Sequence, residues 1–395
     1  MSSSISRTNY RRWCASSWGG SMSEWRKTTL DQLVKLQRGH DLPTGKRRQG
    51  SVPVVGAAGP SGFHDTAIVK APGVVLGRAG ASMGHATYCN VDFWPLNTSL
   101  YVTDFLGNDP RFAFYLLRQI DFSGYNSGAA QPMLNRNYIT QISINLPSFE
   151  EQRAICGVLG SIDDKIAVNE HIAATARELG MSLFFQAVQG GDLIEVEVDS
   201  IATSLTRGVA PKYSESLGEL LVLNQKCIRD GRVNFSPARR TLGSKVAAPK
   251  LLQRNDILIN STGVGTLGRV ARWTSNIKAT VDSHITIVRF DAQQVDPVCA
   301  GFALLRAQPE IEAMGEGSTG QTELRRTQVG GMELALPSPA RQRELRIKLD
   351  SLEERADQAL AESRTLTGLR DTLLPQLMSG RLRVRDAEKI VEDHA

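Results

Sequence analysis

The segment most suggestive of chemistry is rich in glycine and follows an aliphatic stretch. Residues 263–268 (GVGTLG) have the G-x-G-x-x-G pattern. Such a pattern binds a dinucleotide when a helix begins at its glycines and an acidic residue follows on the next strand. Asp291 has roughly this spacing, but residues 269–280, with Trp273 and Asn276 in their middle, are poor helix formers. We therefore expect glycine turns here and no nucleotide site.

A second candidate is the acidic triplet of residues 163–165 (DDK), which resembles part of the metal site of many nucleases. No Glu-x-Lys triplet completes such a site, and the triplet lies within a helical heptad pattern, so we expect a solvated helix face. The sequence also lacks a G-K-[S/T] phosphate loop and the Asn/Asp-Pro-Pro-aromatic motif of amino-methyltransferases. These motifs therefore predict no catalytic site.

The cysteines and histidines show no ligand spacing. The five cysteines are scattered and odd in number, no two have the C-x2-C spacing of a zinc site, and the six histidines form no triad pattern. We expect reduced thiols in a cytoplasmic protein without a bound metal. No apolar run reaches the roughly 18–20 residues that a membrane span needs, so no membrane association is expected. The cysteines are Cys14, Cys89, Cys156, Cys227 and Cys299.

A chain of 395 residues with so few candidate catalytic groups is predicted to recognise a partner and not to be an enzyme. Its net charge is +5, and most of the excess lies in the first half of the sequence. This balance is compatible with nucleic acid as the partner, but it is too mild to establish it.

The most informative feature is an internal repeat. At an offset of 190, residues 131–136 (QPMLNR) match 321–326 (QTELRR), and residues 146–148 match 336–338, both LPS. Slightly smaller offsets align Val74-Val75-Leu76 with Ile257-Leu258-Ile259. Each half begins with short strands and glycine turns and ends in a dense helical stretch. The sequence therefore predicts a duplicated α+β domain, each copy followed by a long helix.

The two helical stretches share apolar spacings of four and three, which is the seam of a coiled coil. Asn169 on the first seam is expected to fix register at some cost in stability. Packing of each helix on its own domain is the alternative. The first seam comprises Ile155, Leu159, Ile162, Ile166, Asn169, Ala173, Ala176, Gly180 and Leu183, and the second Leu345, Leu349, Leu352, Ala356, Ala359, Ser363, Leu366 and Leu373.

The helix boundaries have recognisable signals. Ser148 precedes Glu151 with the spacing of a capping box, and Pro339 suits the first position of a helix. Two such helices, each about 60 Å long, are predicted to run antiparallel as a coiled-coil spacer. The predicted organisation is a disordered extension (1–22), a first domain (23–148), a first long helix (149–191), a second domain (192–337), a second long helix (338–380) and a tail (381–395).

This layout resembles the specificity subunits of type I restriction–modification systems, whose two target-recognition domains alternate with two helical regions. Similar short motifs are residues 25–33 (WRKTTLDQL), 50–56 (GSVPVVG), 77–81 (GRAGA) and 373–380 (LLPQLMSG). The second domain fits less closely, since residues 260–263 (NSTG) stand where the first has 77–80 (GRAG).

The resemblance implies a non-catalytic subunit in which each domain reads one half of a split DNA target. It also implies docking of two methyltransferase subunits and of restriction–translocase subunits, with S-adenosylmethionine, ATP and Mg on those partners. A coiled-coil scaffold that does not read DNA is the alternative. Basic and amide residues on loops are the candidate DNA contacts: Lys46, Arg47, Arg48, Arg78, Asn135 and Arg136 in the first domain, and Arg207, Lys212, Lys226, Arg254, Arg269, Arg325 and Arg326 in the second.

Overall fold

The computed structural model describes residues 25–127, 132–216, 218–315 and 323–393. The chain divides into two compact units: Met1–Ile166 together with Arg364–Ala395, and Ala167–Ser363. The first and second units each contain one of the predicted domains and a part of both long helices. The predicted disordered extension lies outside the described residues.

The first unit is built from strands β1–β9, helices α1 and α2, and the beginning of α3. Its last part is contributed by the end of α8 (Pro339–Met378) and by α9 (Val384–Glu392), which lies within the predicted tail. The elements are β1 (Arg26–Thr29), β2 (Lys35–Arg38), β3 (Val52–Gly56), β4 (Gly59–His64), β5 (Gly73–Gly77), β6 (Ala86–Cys89), β7 (Trp94–Pro95), β8 (Ser99–Asp104), α1 (Pro110–Gln119), α2 (Arg136–Ile139), β9 (Ser143–Leu146) and α3 (Phe149–Gln189).

The second unit repeats this sequence of elements with additional short strands. They are β10 (Leu193–Glu197), α4 (Val198–Ile201), β11 (Ala202–Arg207), β12 (Tyr213–Ser214), β13 (Leu220–Leu223), β14 (Ile228–Arg229), β15 (Arg232–Val233), β16 (Arg239–Thr241), β17 (Ile257–Asn260), β18 (Val270–Arg272), β19 (Ala279–Val281), β20 (Ile285–Phe290), α5 (Pro297–Arg306), α6 (Gln308–Ala313), α7 (Arg326–Gly330) and β21 (Glu333–Pro337).

Sheet topology confirms the predicted duplication. The main sheet has the order β2-β8-β5-β6 in the first unit and β11-β20-β17-β18 in the second, with all neighbours antiparallel. A smaller sheet in each unit contains one parallel pair, β3 with β7 and β13 with β19. A two-stranded ribbon joins the start of each domain to its end, β1 with β9 and β10 with β21. The two domains are therefore copies of one α+β fold.

One helix in each domain is capped in the same way and tied to a long helix by a buried glutamine. Asp109 and Asp296 accept hydrogen bonds from the first backbone N–H groups of α1 and α5. Oε1 of Gln152 accepts from the backbone N–H of Asp109 at 3.0 Å, and Gln342 does the same for Asp296 at 3.0 Å. Both glutamines are buried, so the duplication preserves this link from domain to helix.

The long helices begin and end close to the predicted residues. The backbone N–H of Glu151 donates to Oγ of Ser148 at 3.3 Å, as the capping spacing predicted. Beginning at Phe149, α3 is one continuous helix of 41 residues, and α8 has 40 residues. At about 1.5 Å per residue each helix is roughly 60 Å long.

The predicted seams are buried, with two exceptions. Leu352 and Leu183 are only half-buried. Phe184, which follows Leu183, is fully buried. Every other residue of the two predicted seams is buried, including Asn169, whose Nδ2 donates to Oε2 of Glu362 at 2.9 Å.

The seams pair antiparallel, and they also pack on the domains. In the first unit the start of α3 (Ile155–Ile166) and the end of α8 (Leu366–Leu377) share one core with the domain. In the second unit the end of α3 packs with Leu345 and Leu349 at the start of α8, again within a domain core. A separate cluster, centred on Ala173, Ala176 and Ala356, involves the helices alone. The two helices therefore pair with each other alone in one stretch and within a domain core in the others.

Two of the motifs considered for catalysis have structural roles. The glycine-rich segment forms turns and leads into β18, a strand, and Gly268 lies against the backbone of Glu312. The expectation of a solvated face was wrong for Asp163, which is half-buried and accepts from the hydroxyl of Tyr115 and from Arg370. The reason is that α1 and α8 both contact this face of α3 within the first unit. Among the described residues, no helix is long and apolar enough to span a membrane.

Candidate nucleic-acid interface

In the first unit, one edge of the main sheet presents two arginines. Strand β8 lies between β2 and β5, so the last residues of β2 and β5 flank the start of β8. Arg38 is the last residue of β2, and the following Gly39 donates its N–H to the carbonyl of Ser99 at 3.0 Å. Arg78 follows β5 and donates its backbone N–H to the carbonyl of Thr98 at 3.0 Å. The backbones of Arg38 and Arg78 are therefore one strand apart at the same sheet edge.

The loop before α2 is attached to this edge. Its Leu134 donates a backbone N–H to the carbonyl of Arg78 at 2.8 Å, and a guanidinium nitrogen of Arg78 lies 3.2 Å from Sδ of Met133. Asn135 caps α2 by accepting from the N–H of Asn137, while Arg136 and Tyr138 are exposed. The structure thus brings together three predicted residues of the first domain, namely Arg78, Asn135 and Arg136.

The second unit has the same arrangement with different side chains. Ser261 occupies the position of Arg78, since its carbonyl accepts from the N–H of Leu324 at 2.9 Å. Glu323 occupies the position of Met133, because Thr262 pairs with Glu323 just as Ala79 pairs with Met133. Arg207, which ends β11 and precedes Gly208, is the counterpart of Arg38.

A cleft of about 440 Å³ opens at this edge of the second domain, and it is lined by Arg207, Ser283, Glu323, Arg325, Arg326 and Thr327. Nη2 of Arg207 donates to Oε1 of Glu323 at 2.9 Å and to the carbonyl of Leu324 at 2.7 Å. Three predicted residues of the second domain, Arg207, Arg325 and Arg326, therefore meet in one cleft.

The pKa directions show that cations crowd this cleft. Burial lowers the pKa of Arg207, and the proximity of Arg326 lowers it further, against the opposite effect of Glu323. Burial and Arg326 also lower the pKa of Lys250, whose Nζ donates to Oγ1 of Thr206 at 2.9 Å. An arginine remains protonated under such shifts. The site is consequently a positive surface with a single carboxylate among its lining residues, suited to a polyanion.

The other predicted residues of the first domain lie near the smaller sheet. Lys46 is exposed at the end of a short 3-10 helix. Arg47 donates to the carbonyl of Ser61 at 2.7 Å. Arg48 forms a bidentate pair with Asp65, which lowers the pKa of that carboxyl to about 2. Arg48 is therefore ion-paired within its own domain, as Arg207 is in the second domain.

The other predicted residues of the second domain are dispersed. Arg254 donates to the carbonyl of Thr274 and contacts Glu354 on α8 at 3.7 Å, and Arg269 donates to the carbonyl of Gly265 at 2.7 Å. Lys212 and Lys226 are exposed. Neither Lys212, Lys226, Arg254 nor Arg269 lines the cleft around Arg326.

The sequence analysis missed Arg38, Lys250 and Glu323. A signal for Arg38 was present, since Gln37-Arg38-Gly39 matches Thr206-Arg207-Gly208 in the two copies. Glu323 lies in the repeated motif of residues 321–326, next to the predicted Arg325 and Arg326, so the repeat offered a signal for it too. Lys250 lies beside the cleft through its contact with Thr206, which no local pattern indicates. No group of three or more potential metal-binding side chains occurs among the residues that the structure describes.

Comparison with known proteins identifies relatives for the fold. Residues 22–177 match the family model of the type I restriction modification DNA specificity domain. The specificity subunit of the type I restriction enzyme EcoprrI from Escherichia coli is 24% identical over 145 residues, which cover 35% of this chain and 36% of that protein. The chain thus matches about a third of the length of this curated relative.

Two solved structures match over most of their length. The S subunit of a type I restriction–modification system from M. genitalium gives a TM-score of 0.61 at 18% identity, covering 91% of this chain and 98% of that chain. The HsdS subunit from Thermoanaerobacter tengcongensis gives a TM-score of 0.33 at 14% identity, covering 91% of this chain and 97% of its own. The first of these structures shares the duplicated α+β fold with its long helices. The resemblance stated from the sequence is confirmed.

Proposed function

We propose that this chain belongs to the specificity subunits of type I restriction–modification systems and is the non-catalytic subunit that reads the DNA sequence for such an enzyme. The observation that carries the proposal is the repeated sheet edge: both domains present an arginine at the end of the first strand of the main sheet, Arg38 and Arg207. Arg136 and Arg326, the first residues of α2 and α7, add positive charge beside it. Such residues bind phosphates and reach base edges.

Each domain would read one half of a bipartite target. Two copies of one fold offer two equivalent surfaces, but the side chains at matched positions differ, as Met133 and Glu323 do. Different side chains at the same position favour different bases. The continuous helices between the domains would set the length of the unread gap.

The chemistry would reside on partners. Two methyltransferase subunits carrying S-adenosylmethionine, and restriction–translocase subunits using ATP and Mg, would dock on this chain. The complex would act on double-stranded DNA in the cytoplasm.

The test of the function is a map of methylated bases in the host genome with and without this gene. We expect methylation of one bipartite motif to disappear when the gene is deleted and to return with the intact chain. Unchanged methylation would refute the proposal and favour the scaffold alternative. Incubating the purified chain with S-adenosylmethionine and DNA checks the absence of catalysis, since methyl transfer by the chain alone would make it an enzyme.

The division of labour is tested by exchanging residues 192–337 for the matching domain of a relative. We expect only one half of the methylated motif to change, because the first domain is untouched. A change in both halves would contradict separate reading by the two domains.

A further inference from the structure

Glu323 is an unusual residue for a surface that binds a polyanion. Its side chain is 64% exposed in a cleft lined by Arg207, Arg325 and Arg326, with Lys250 close by. Repulsion by phosphates would make an exposed carboxylate unfavourable at this position. Arg207 donates to this carboxylate and offsets part of the repulsion, and a hydrogen-bond donor on the DNA would offset more of it.

Arg207 fixes the position of this carboxylate. Its side chain is 21% exposed, and the same Nη2 atom contacts Oε1 of Glu323 and the carbonyl of Leu324. By donating to both acceptors, the guanidinium holds the Glu323 side chain next to the backbone of Leu324 at the sheet edge. A carboxylate has about four lone-pair sites, so the contact with Arg207 leaves capacity for another donor.

Resting on the proposed function, we propose that Glu323 reads a cytosine in the half-site bound by the second domain. Its carboxylate would accept a hydrogen bond from the exocyclic N4 amino group, the usual partner of a glutamate in the major groove. Adenine fits poorly because its N6 amino group lies beside N7, an acceptor that repels a carboxylate and suits an amide. Arg207 is then a positioning residue for Glu323.

The first domain provides the internal contrast. Met133 occupies the equivalent position, and Arg78 lies 3.2 Å from its sulfur, so an arginine accompanies this position in both domains. A thioether offers only a weak acceptor. The first half-site therefore carries no cytosine requirement from this position.

Two variants test the assignment in a host whose gene has been deleted and replaced, with the methylated motif mapped across the genome. Glu323→Gln keeps the shape of the side chain and adds amide donors, so one C·G pair of the motif should become an A·T pair. Glu323→Met copies the residue of the first domain and should allow several bases there. The amide of the Glu323→Gln variant would contact adenine in bidentate fashion, and such a contact discriminates between bases by about 5- to 150-fold, so methylation at sites with A·T at this position should rise by that order.

The outcomes separate this proposal from the proposed function. Loss of methylation on gene deletion tests the function before any variant is made. An unchanged motif in both variants would overturn the reading of cytosine by Glu323, and so would changes spread over both half-sites. In a third outcome, a variant loses all methylation although its unfolding temperature equals that of the wild type. This result would also overturn the proposal, because Glu323 would then be needed for binding any DNA sequence.

A reciprocal variant decides the matter if substitutions at position 323 unfold the second domain. Met133→Glu places a carboxylate beside Arg78, so the first domain would also have a carboxylate next to an arginine at this position, although the arginine comes from a different strand end. We expect a new preference for one C·G pair in the other half-site. No new preference, in a chain that folds and methylates, would overturn the proposal.

Discussion

The two domains have the same fold but are attached to the long helices by different chemistry. In the first unit, Asp163 on α3 accepts from Tyr115 at 2.5 Å and from Arg370 at 2.9 Å, and Asp164 pairs with Arg111 at 2.6 Å. These contacts surround an apolar core that the helices share with the domain. The carboxylate of Asp164 is mostly exposed, at 67%.

In the second unit, the attachment contains buried charges. Arg272 on β18 is 1% exposed and lies 3.4 Å from Glu353 and 3.5 Å from Asp350, both on α8. Arg232 also contacts Glu353 at 3.3 Å. Buried ion pairs recover their desolvation penalty only while every partner is present. The two units therefore share their backbone fold and the buried glutamine, but they differ in the charged contacts between domain and helix.

Removal of one buried charge should have the largest effect. Glu353→Gln leaves Arg232 and Arg272 without their shared carboxylate, so the second unit should lose about 3 kcal/mol of stability. Burial raises the pKa of Cys299 in this unit and keeps its thiol unreactive. Alkylation of Cys299 should therefore accelerate by about a hundredfold, which is the factor equivalent to that free energy.

The matched control is Asp164→Asn in the first unit, where the carboxylate is exposed. The loss should be about 0–1 kcal/mol, as for surface ion pairs. Cys156 reports on this unit, and burial likewise raises its pKa. Alkylation of Cys156 in the Asp164→Asn variant should therefore accelerate far less than alkylation of Cys299 in the Glu353→Gln variant. Equal acceleration would show that the two charge contacts contribute equally to the stability of their units.

The buried glutamines should give similar and intermediate effects. Gln152→Leu and Gln342→Leu each leave the backbone N–H of an aspartate and the carbonyl of a proline without their partner, and Gln152→Leu also removes the donor to Oδ1 of Asn108. Each variant should destabilise its unit by about 1–3 kcal/mol, the cost of unsatisfied buried groups. Denaturant unfolding measures both. A large difference between the two losses of unfolding free energy would indicate that the two glutamines contribute differently to stability despite their shared geometry.

The smallest predicted change concerns a single DNA contact. Arg78 lies at the sheet edge without an ion pair among the described contacts, so Arg78→Ala should weaken DNA binding by the assembled complex. If it contacts a phosphate, all sequences weaken alike and the slope of log K against log salt falls by about one. If it contacts a base, the cognate site loses about 1–3 kcal/mol. Lys70→Ala, which removes a lysine of the same domain that pairs with Asp92 at 2.7 Å and is not among the candidate DNA contacts, is the control and should change neither quantity.

Much of the fold could be predicted because it rests on periodic patterns. The spacing of Ile155, Leu159 and Ile162 fixed the helix seam, and the repeat of short motifs revealed the duplication. Long-range pairing could not be predicted in this way. The bond between Arg370 and Asp163 joins residues 207 positions apart, and Arg272 is a charged residue on a buried strand whose partners come from another element.

The candidate site was predicted in part for the same reason. Asn135 and Arg136 lie on a repeated motif, and Arg78 lies on a motif that resembles the family; the structure brings the three residues together. Arg48 has the same local character, but its pairing with Asp65 depends on the hairpin of β3 and β4. Individual contacts with DNA therefore remain predictions, whereas the position of the surface follows from the repeat.

The most direct test of the account changes the length of α3. Inserting four residues after Ala176 adds about 6 Å to the helix, and a four-residue stutter perturbs a coiled coil only locally. Since base pairs rise by about 3.4 Å, the gap between the half-sites should lengthen by one or two base pairs, with both half-site sequences unchanged.

The same insertion after Gly107, an exposed turn residue with nothing within 4 Å of its Cβ position, is the control and should leave the gap unaltered. Binding is measured against targets of every gap length. A variant that folds, binds its partners and still prefers the original gap would contradict the claim that two matched domains read a target whose spacing the helices set.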